Sequence, residues 1–177
     1  MDSTYVHSGH LHSSGYIRKA RTVVKAMDIV GSSSAGTLEI WDTLTAPVTT
    51  GTYGRSGTTV TVTDTGHGLS TGDKIGISFE PDGGVIATPG NYEITVVDAD
   101  TFTLVDINTG TIANDPDCRY VHGVDGAGLE SRWVATYHTA ASDTFFNGFT
   151  VPGNGILARK GVYVFAENLA SINVYYG

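Results

Sequence analysis

The sequence predicts an all-β protein, a small jelly-roll-like β-sandwich formed by both chain ends and interrupted by an inserted small β-barrel domain. Three observations predict it. Glycine supplies 23 of the 177 residues and methionine only two, and threonine is abundant; this composition favours strands and turns over helices. Apolar and polar residues alternate at a period of two over much of the chain, as half-buried strands require. Charge is segregated as well: between Gly54 and His122 ten acidic residues stand against Arg55, Lys74 and Arg119, so this stretch carries most of the net charge of −8. A composition shift of that kind marks a domain boundary. With 40% hydrophobic residues, the chain lies in the range that folds.

Residues 1–15, rich in Ser, Gly and His, have no apolar period and read as an N-terminal arm that orders only against something else. Ile17 to Val30 carries two patterns: Ile17, Ala20, Val24 and Met27 at helical spacing, against the β-branched Thr22, Val23 and Val24. The β-branched run favours a strand. The turn from Gly31 to Gly36 leads to a second strand, Thr37 to Asp42, with Leu38 and Ile40 on one face and Glu39 on the other.

The middle segment alternates cleanly. Val60 and Val62 lie between threonines; Ile75, Ile77 and Phe79 alternate with Gly76 and Ser78; Tyr92, Ile94 and Val96 repeat the pattern, and Phe102 and Leu104 end it. Four short strands at regular spacing predict a small barrel or sandwich. A further strand is expected around Arg119 to Val121. Beyond the loop from Asp106 to Gly128, strands are expected at Arg132 to His138, Phe145 to Thr150, Val162 to Glu167 and Ile172 to Tyr176. The expected organisation is therefore an arm at 1–15, a discontinuous sandwich from 16–54 and 124–177, and an inserted acidic module at 55–123.

Composition also narrows function. An acidic surface repels phosphate backbones, and the one basic cluster, Arg18, Lys19, Arg21 and Lys25, is a weak basis for nucleic-acid binding, so no direct nucleic-acid partner is expected. A single cysteine, Cys118, allows neither an internal disulfide nor a cysteine-based zinc knuckle. The start of the chain lacks the apolar core of a signal peptide, and no uncharged apolar run approaches roughly 18 residues. A soluble protein without a membrane partner is expected.

Candidate chemistry is sparse. His7, His10 and His12 offer imidazoles that three arms around a threefold axis could combine into a metal site; the plainer reading is a contact-making arm. Asp98, Asp100, Asp106, Asp115 and Asp117 could gather around calcium, although their spacing lacks the EF-hand pattern and Asp is common in turns. His67 between Gly66 and Gly68 has no serine or second base at motif spacing and reads as a turn residue. Cys118 beside Arg119 reads as packing rather than a reactive thiol. Trp133, Tyr137, Phe145, Phe146, Tyr163, Phe165, Tyr175 and Tyr176 read as sandwich core and subunit interface, with sugar stacking as the alternative. No catalytic residue and no cofactor are expected.

Thr59-Val-Thr-Val-Thr63, His67-Gly68-Leu69, Thr71-Gly72-Asp73-Lys74-Ile75, Gly90-Asn-Tyr92 and Thr101-Phe102-Thr103-Leu104 together resemble a β-barrel module of phage virion proteins, one often labelled as similar to the first catalytic-cysteine half-domain of ubiquitin-activating enzymes. The label implies a shared shape, not ubiquitin chemistry. Ala35-Gly-Thr-Leu-Glu-Ile-Trp-Asp42, Val151-Pro-Gly-Asn-Gly-Ile156, Gly161-Val-Tyr-Val164 and Val174-Tyr-Tyr-Gly177 resemble a short virion β-sandwich of marine phages. In that family the two halves are contiguous, so Thr52 to Gly54 would run on to Arg132 in space. The resemblance implies a non-enzymatic component of a bacteriophage particle, located in the virion, with decoration of the capsid as the first placement and a glycan-binding tail or tail-fibre accessory as the alternative. Its partners would be other copies of itself, as a homotrimer or another symmetric oligomer, and capsid or tail proteins. Tyr5, His7, His10, His12, Tyr16, Arg18, Lys19 and Arg21 are the expected interface residues.

Overall fold

A computed structural model describes residues 6–81, 84–113, 116–123, 131–141, 146–151 and 153–177. Among them lie fifteen strands and no helix. The all-β class expected from composition and alternation is the class observed. The chain divides into two compact units, one made of Met1–Ala46 with Val134–Gly177 and the other of Pro47–Trp133.

The unit built from both chain ends is a pair of antiparallel sheets. In the first, β1 (His7–Leu11) pairs with β15 (Leu169–Tyr176), β15 with β3 (Thr22–Gly31), and the far side of β3 with β12 (Phe146–Thr150) and then β13 (Ile156–Ala158). The second runs β11 (Arg132–Thr139), β4 (Gly36–Asp42), β14 (Val162–Glu167) and β2 (Gly15–Arg18). Val24, Met27, Ile29, Ile172 and Val174 of the first sheet pack on Leu38, Ile40, Val162 and Val164 of the second. The period-two alternation places these side chains on one face of each sheet, and removing that face from water is the main stabilising term.

Alternation along β3 is not uniform. Thr22 and Val24 point inward, and then so do Met27, Ile29 and Gly31, so the phase slips by one residue at Lys25 and Ala26. A register shift against β15 falls there, because Tyr175 partners Ala26 and Tyr176 partners Val24. That bulge is the source of the helix-like step from Val24 to Met27, one extra residue between two inward runs imitating a helical period, whereas Ile17 lies on β2 (Gly15–Arg18) and Ala20 in the bend before β3. The exposed bulge carbonyl of Lys25 accepts the Val151 N–H at 2.8 Å, and the Lys25 ammonium donates to the Asn154 carbonyl at 2.9 Å. Gly155 closes this crossing with a φ of 85°, where a Cβ would collide with the Val24 carbonyl.

The inner unit is a six-stranded sheet in the order β7 (Gly90–Glu93), β6 (Lys74–Phe79), β10 (Asp117–His122), β5 (Val48–Thr63), β9 (Thr101–Ile112) and β8 (Thr95–Val96). Its two edge strands are consecutive in sequence, separated only by Ile94, so the sheet must curl until its edges approach each other. β5 shows the same curl. Fourteen extended residues span about 46 Å, yet the Thr50 hydroxyl donates to Asp64 at 2.6 Å. The strand bends at Gly57, where φ is 65° and the register against β9 slips; inward positions change from 51, 53 and 55 to 60 and 62. Val60, Val62, Ile75, Ile77, Phe79, Phe102, Leu104, Tyr53 and Tyr120 fill the interior.

Several expectations change. Residues 7–11 form an edge strand on β15 of the same chain and residues 15–18 form β2, so the expected arm supplies ladder strands to its own unit. The inner unit starts at Pro47 rather than at residue 55, and Thr52 partners Asp117 of β10 rather than running on to Arg132. The boundary expected between residues 54 and 55 falls inside β5 (Val48–Thr63), where Gly57 makes the bend. β3 and β4 belong to different sheets, so the turn at 31–36 is a corner between layers rather than a hairpin.

Because its core is lined by its own residues, a chain of residues 47–133 alone is expected to unfold cooperatively in urea. A non-cooperative, sloping transition would show that this unit lacks an independent core.

Candidate functional site

The expected interface residues fall on two faces of the end-built unit. His7 stacks on Tyr176 with centroids 5.7 Å apart, and the Arg18 guanidinium lies 5.8 Å from the same ring. The Lys19 ammonium sits 4.2 Å from the centre of the Tyr16 ring, which meets Tyr163 edge-on at 4.9 Å. These form an exposed rim in which cations cap aromatic faces, an arrangement stabilised by the ring quadrupole. Arg21 is exposed. Tyr5 lies outside the described residues.

His10 and His12 point the opposite way. Alternation along β1 sends residues 7, 9 and 11 to one side and 10 to the other, so the three histidines do not form one cluster. The His10 and His12 Nε2 atoms are 3.0 Å apart; His10 Nδ1 faces Asn173 Oδ1 at 2.6 Å, and His12 Nδ1 faces the Ala170 carbonyl at 3.0 Å. No group of three or more His, Cys, Asp or Glu side chains with metal-binding geometry occurs among the described residues.

The remaining candidates have structural work. His67 Nδ1 accepts the Leu69 N–H at 3.0 Å and its Nε2 donates to the Asp98 carbonyl at 3.2 Å, while Gly66 and Gly68 have φ of 67° and 65°. Both ring nitrogens are occupied in holding the turn. The aspartates disperse. Asp98 caps the Asp100 N–H and Asp100 the Gly66 N–H, both at 2.8–2.9 Å; Asp106 is buried with Arg55, and Asp115 lies outside the described residues. Cys118 is fully buried in the inner core. Tyr137, Tyr163, Phe165, Tyr175 and Tyr176 are half-buried, as is Trp133 in the inner unit; Phe145 and the side chain of Phe146 are outside the described set. A small cleft of about 180 Å³, lined by Lys74, Ile75, Asn91, Tyr92, Glu93 and Ser131, falls below the roughly 300 Å³ at which ordinary ligand pockets begin.

Sequence reasoning missed the buried polar centres. Arg55 and Asp106 meet at 3.0 Å with both side chains fully buried. The guanidinium also donates to the carbonyls of Gly57, Val85, Ile86 and Asn108. Asp106 accepts the N–H groups of Thr88 at 2.8 Å and Asn108 at 3.1 Å. Burial pushes the Asp106 carboxyl up, but these N–H donors, the Thr88 hydroxyl and the Arg55 charge outweigh it and hold the group below its ordinary value. A signal existed in the sequence: Arg55 is one of three cations in the acidic segment from Gly54 to His122, directly after Gly54 and two residues before Gly57. In the other unit, Asp42 accepts the N–H groups of Arg159 and Lys160, both at 2.8 Å, and of Gly161 at 3.3 Å, locking the corner between β13 and β14.

Compared with protein-family models, curated proteins and solved structures, the chain finds no match in any of the three. The two phage resemblances therefore rest on the residues quoted for them.

Asp106→Asn is expected to destabilise the inner unit by about 3–5 kcal/mol, as removing one partner of a buried pair does. Because the folded carboxyl titrates below its unfolded value, this stabilisation is present above about pH 4 and disappears as pH falls through the folded value. Acid denaturation of the variant followed by Trp133 fluorescence in a Trp41→Phe background should show that part of the acid limb missing. An unchanged acid limb would remove Asp106 from the account.

At the other end of the scale, burial raises Tyr53, Tyr92 and Tyr120, with Tyr92 pushed up to about 12 and Tyr120 raised further by its bond to Asp64. Their contribution is complete below about pH 10 and is lost as pH climbs through the folded values. Tyrosinate absorbance should therefore rise in two stages, the second together with loss of the inner fold. A single titration of all nine tyrosines near pH 10 would contradict the burial.

Proposed function

We propose that this protein is a non-enzymatic structural component of a bacteriophage particle that acts by self-association and docking, first as a capsid decoration protein. The observation that carries the reading is the rim of the end-built unit, where His7, Tyr16, Arg18 and Lys19 meet Tyr163 and Tyr176. Tyr and Arg are enriched in protein interfaces because they offer large contact area together with hydrogen-bonding capacity. Cyclic symmetry would repeat each such contact in every subunit. The edge strand β1, which is paired on one side with β15, adds a second surface along which neighbours can align. Sugar stacking at a tail or fibre is the second reading, favoured by the half-buried, polar-tipped rings of Tyr163, Tyr175 and Tyr176.

The test is cryo-electron microscopy of phage particles carrying and lacking this protein. Symmetric density lost from the capsid lattice is the expected result, and Arg18→Glu should reduce occupancy at those positions. Density lost from the tail would overturn the capsid placement, and no missing density would overturn the virion reading.

A further inference from the structure

His10 and His12 are both exposed on the outward side of the edge strand, and the docking rim does not use them. Their rings meet edge to face with centroids 4.4 Å apart and Nε2 atoms 3.0 Å apart. Each Nδ1 faces an oxygen. The Ala170 carbonyl can only accept, so His12 Nδ1 carries hydrogen; His10 Nδ1 faces Asn173 Oδ1 in the same sense. An imidazole protonated at Nδ1 presents a lone pair at Nε2. The two Nε2 atoms lie within hydrogen-bond distance of each other; with hydrogen on both Nδ1 atoms, each ring turns an unprotonated nitrogen toward the other, a pair that a cation can bridge.

Metal-ligating histidines have this outer arrangement, with one ring nitrogen giving its hydrogen to an oxygen and the other free for the ion. Two nitrogens bound to a tetrahedral ion at 2.0–2.1 Å lie about 3.3 Å apart, so a few tenths of an ångström of side-chain motion opens the pair to a metal. We infer that His10 and His12 form a two-imidazole site for a divalent transition metal of the zinc, copper and nickel class. Water holds the other coordination positions, and Asn173 and Ala170 orient the rings. Imidazole nitrogen selects this class over magnesium and calcium, which take oxygen ligands. His7, on the other side of β1 against Tyr176, takes no part.

Zinc titration of the tag-free full chain, followed by calorimetry and by nitrogen NMR of the histidine side chains, tests the site. One ion per chain is expected, with shifts at the Nε2 atoms of His10 and His12 and none on adding magnesium. His10→Gln and His12→Gln should each weaken binding at least tenfold and Asn173→Ala by about 10- to 100-fold, whereas His7→Gln and His67→Gln should bind as the parent does. All four histidine substitutions are on side chains outside the cores, and circular dichroism checks that each variant folds. The inference is overturned by no binding up to about 1 mM zinc, by binding that survives both His10→Gln and His12→Gln, or by shifts at Nδ1 in the unsubstituted protein.

Discussion

A buried arginine at a bend shared by two strands is the constraint on which the inner unit depends. Where β5 bends at Gly57, the β5–β9 ladder is broken between Gly57 and Thr59 on one strand and between Val105 and Gly110 on the other, and a broken ladder leaves carbonyls without strand partners. Such groups are costly to bury unless they are bonded. Arg55 places its donors on the carbonyls of Gly57 and Asn108 at that bend and on those of Val85 and Ile86 in the segment between β6 and β7. A guanidinium so placed is itself expensive without an opposite charge, which Asp106 supplies from the bent stretch of β9. Bend, cation and carboxylate are therefore interdependent: the glycine permits the curvature, the arginine satisfies what the curvature exposes, and the aspartate balances the arginine.

The end-built unit solves an equivalent problem with an anion and backbone donors. Its two sheets are joined by corners rather than hairpins, and a corner exposes backbone N–H groups. Asp42 at the end of β4 accepts three of them from residues 159–161. Asn168 turns the chain from β14 to β15 with a φ of 53°, a conformation that asparagine tolerates better than most side chains. On β3 the bulge at Lys25 is stitched to the 151–155 segment. At the bend of β5, the corner at residues 159–161 and the bulge at Lys25, a named polar group answers the irregular backbone.

Surface chemistry follows from the same alternation. Neighbouring residues on β1 point to opposite sides, which puts His7 on the aromatic rim and His10 beside His12 on the outer face. One short polar segment thus carries two separate surfaces, a cation–aromatic rim suited to docking and an imidazole pair suited to a metal ion. Neither needs a cavity, since both are built on the edge of a sheet.

The sequence by itself determined the fold class and the strands of regular alternation, and the inward face of Val60 and Val62 is buried as their spacing requires; β4 and β6, by contrast, are buried on both faces, Glu39 and Ser78 included. Period two is a local property and locates a strand, whereas whether its second face is also covered depends on what packs there. The sequence also showed a composition change around the inner unit, but not where that unit begins, because the change in charge starts after residue 54 while the strand that opens the unit starts at Val48. Only the tertiary structure decided that β5 is one bent strand, that residues 7–11 close onto β15, and that Arg55 meets Asp106 and His10 meets His12. Each of these depends on chain segments far apart in sequence, or on a change of phase that a local pattern cannot register.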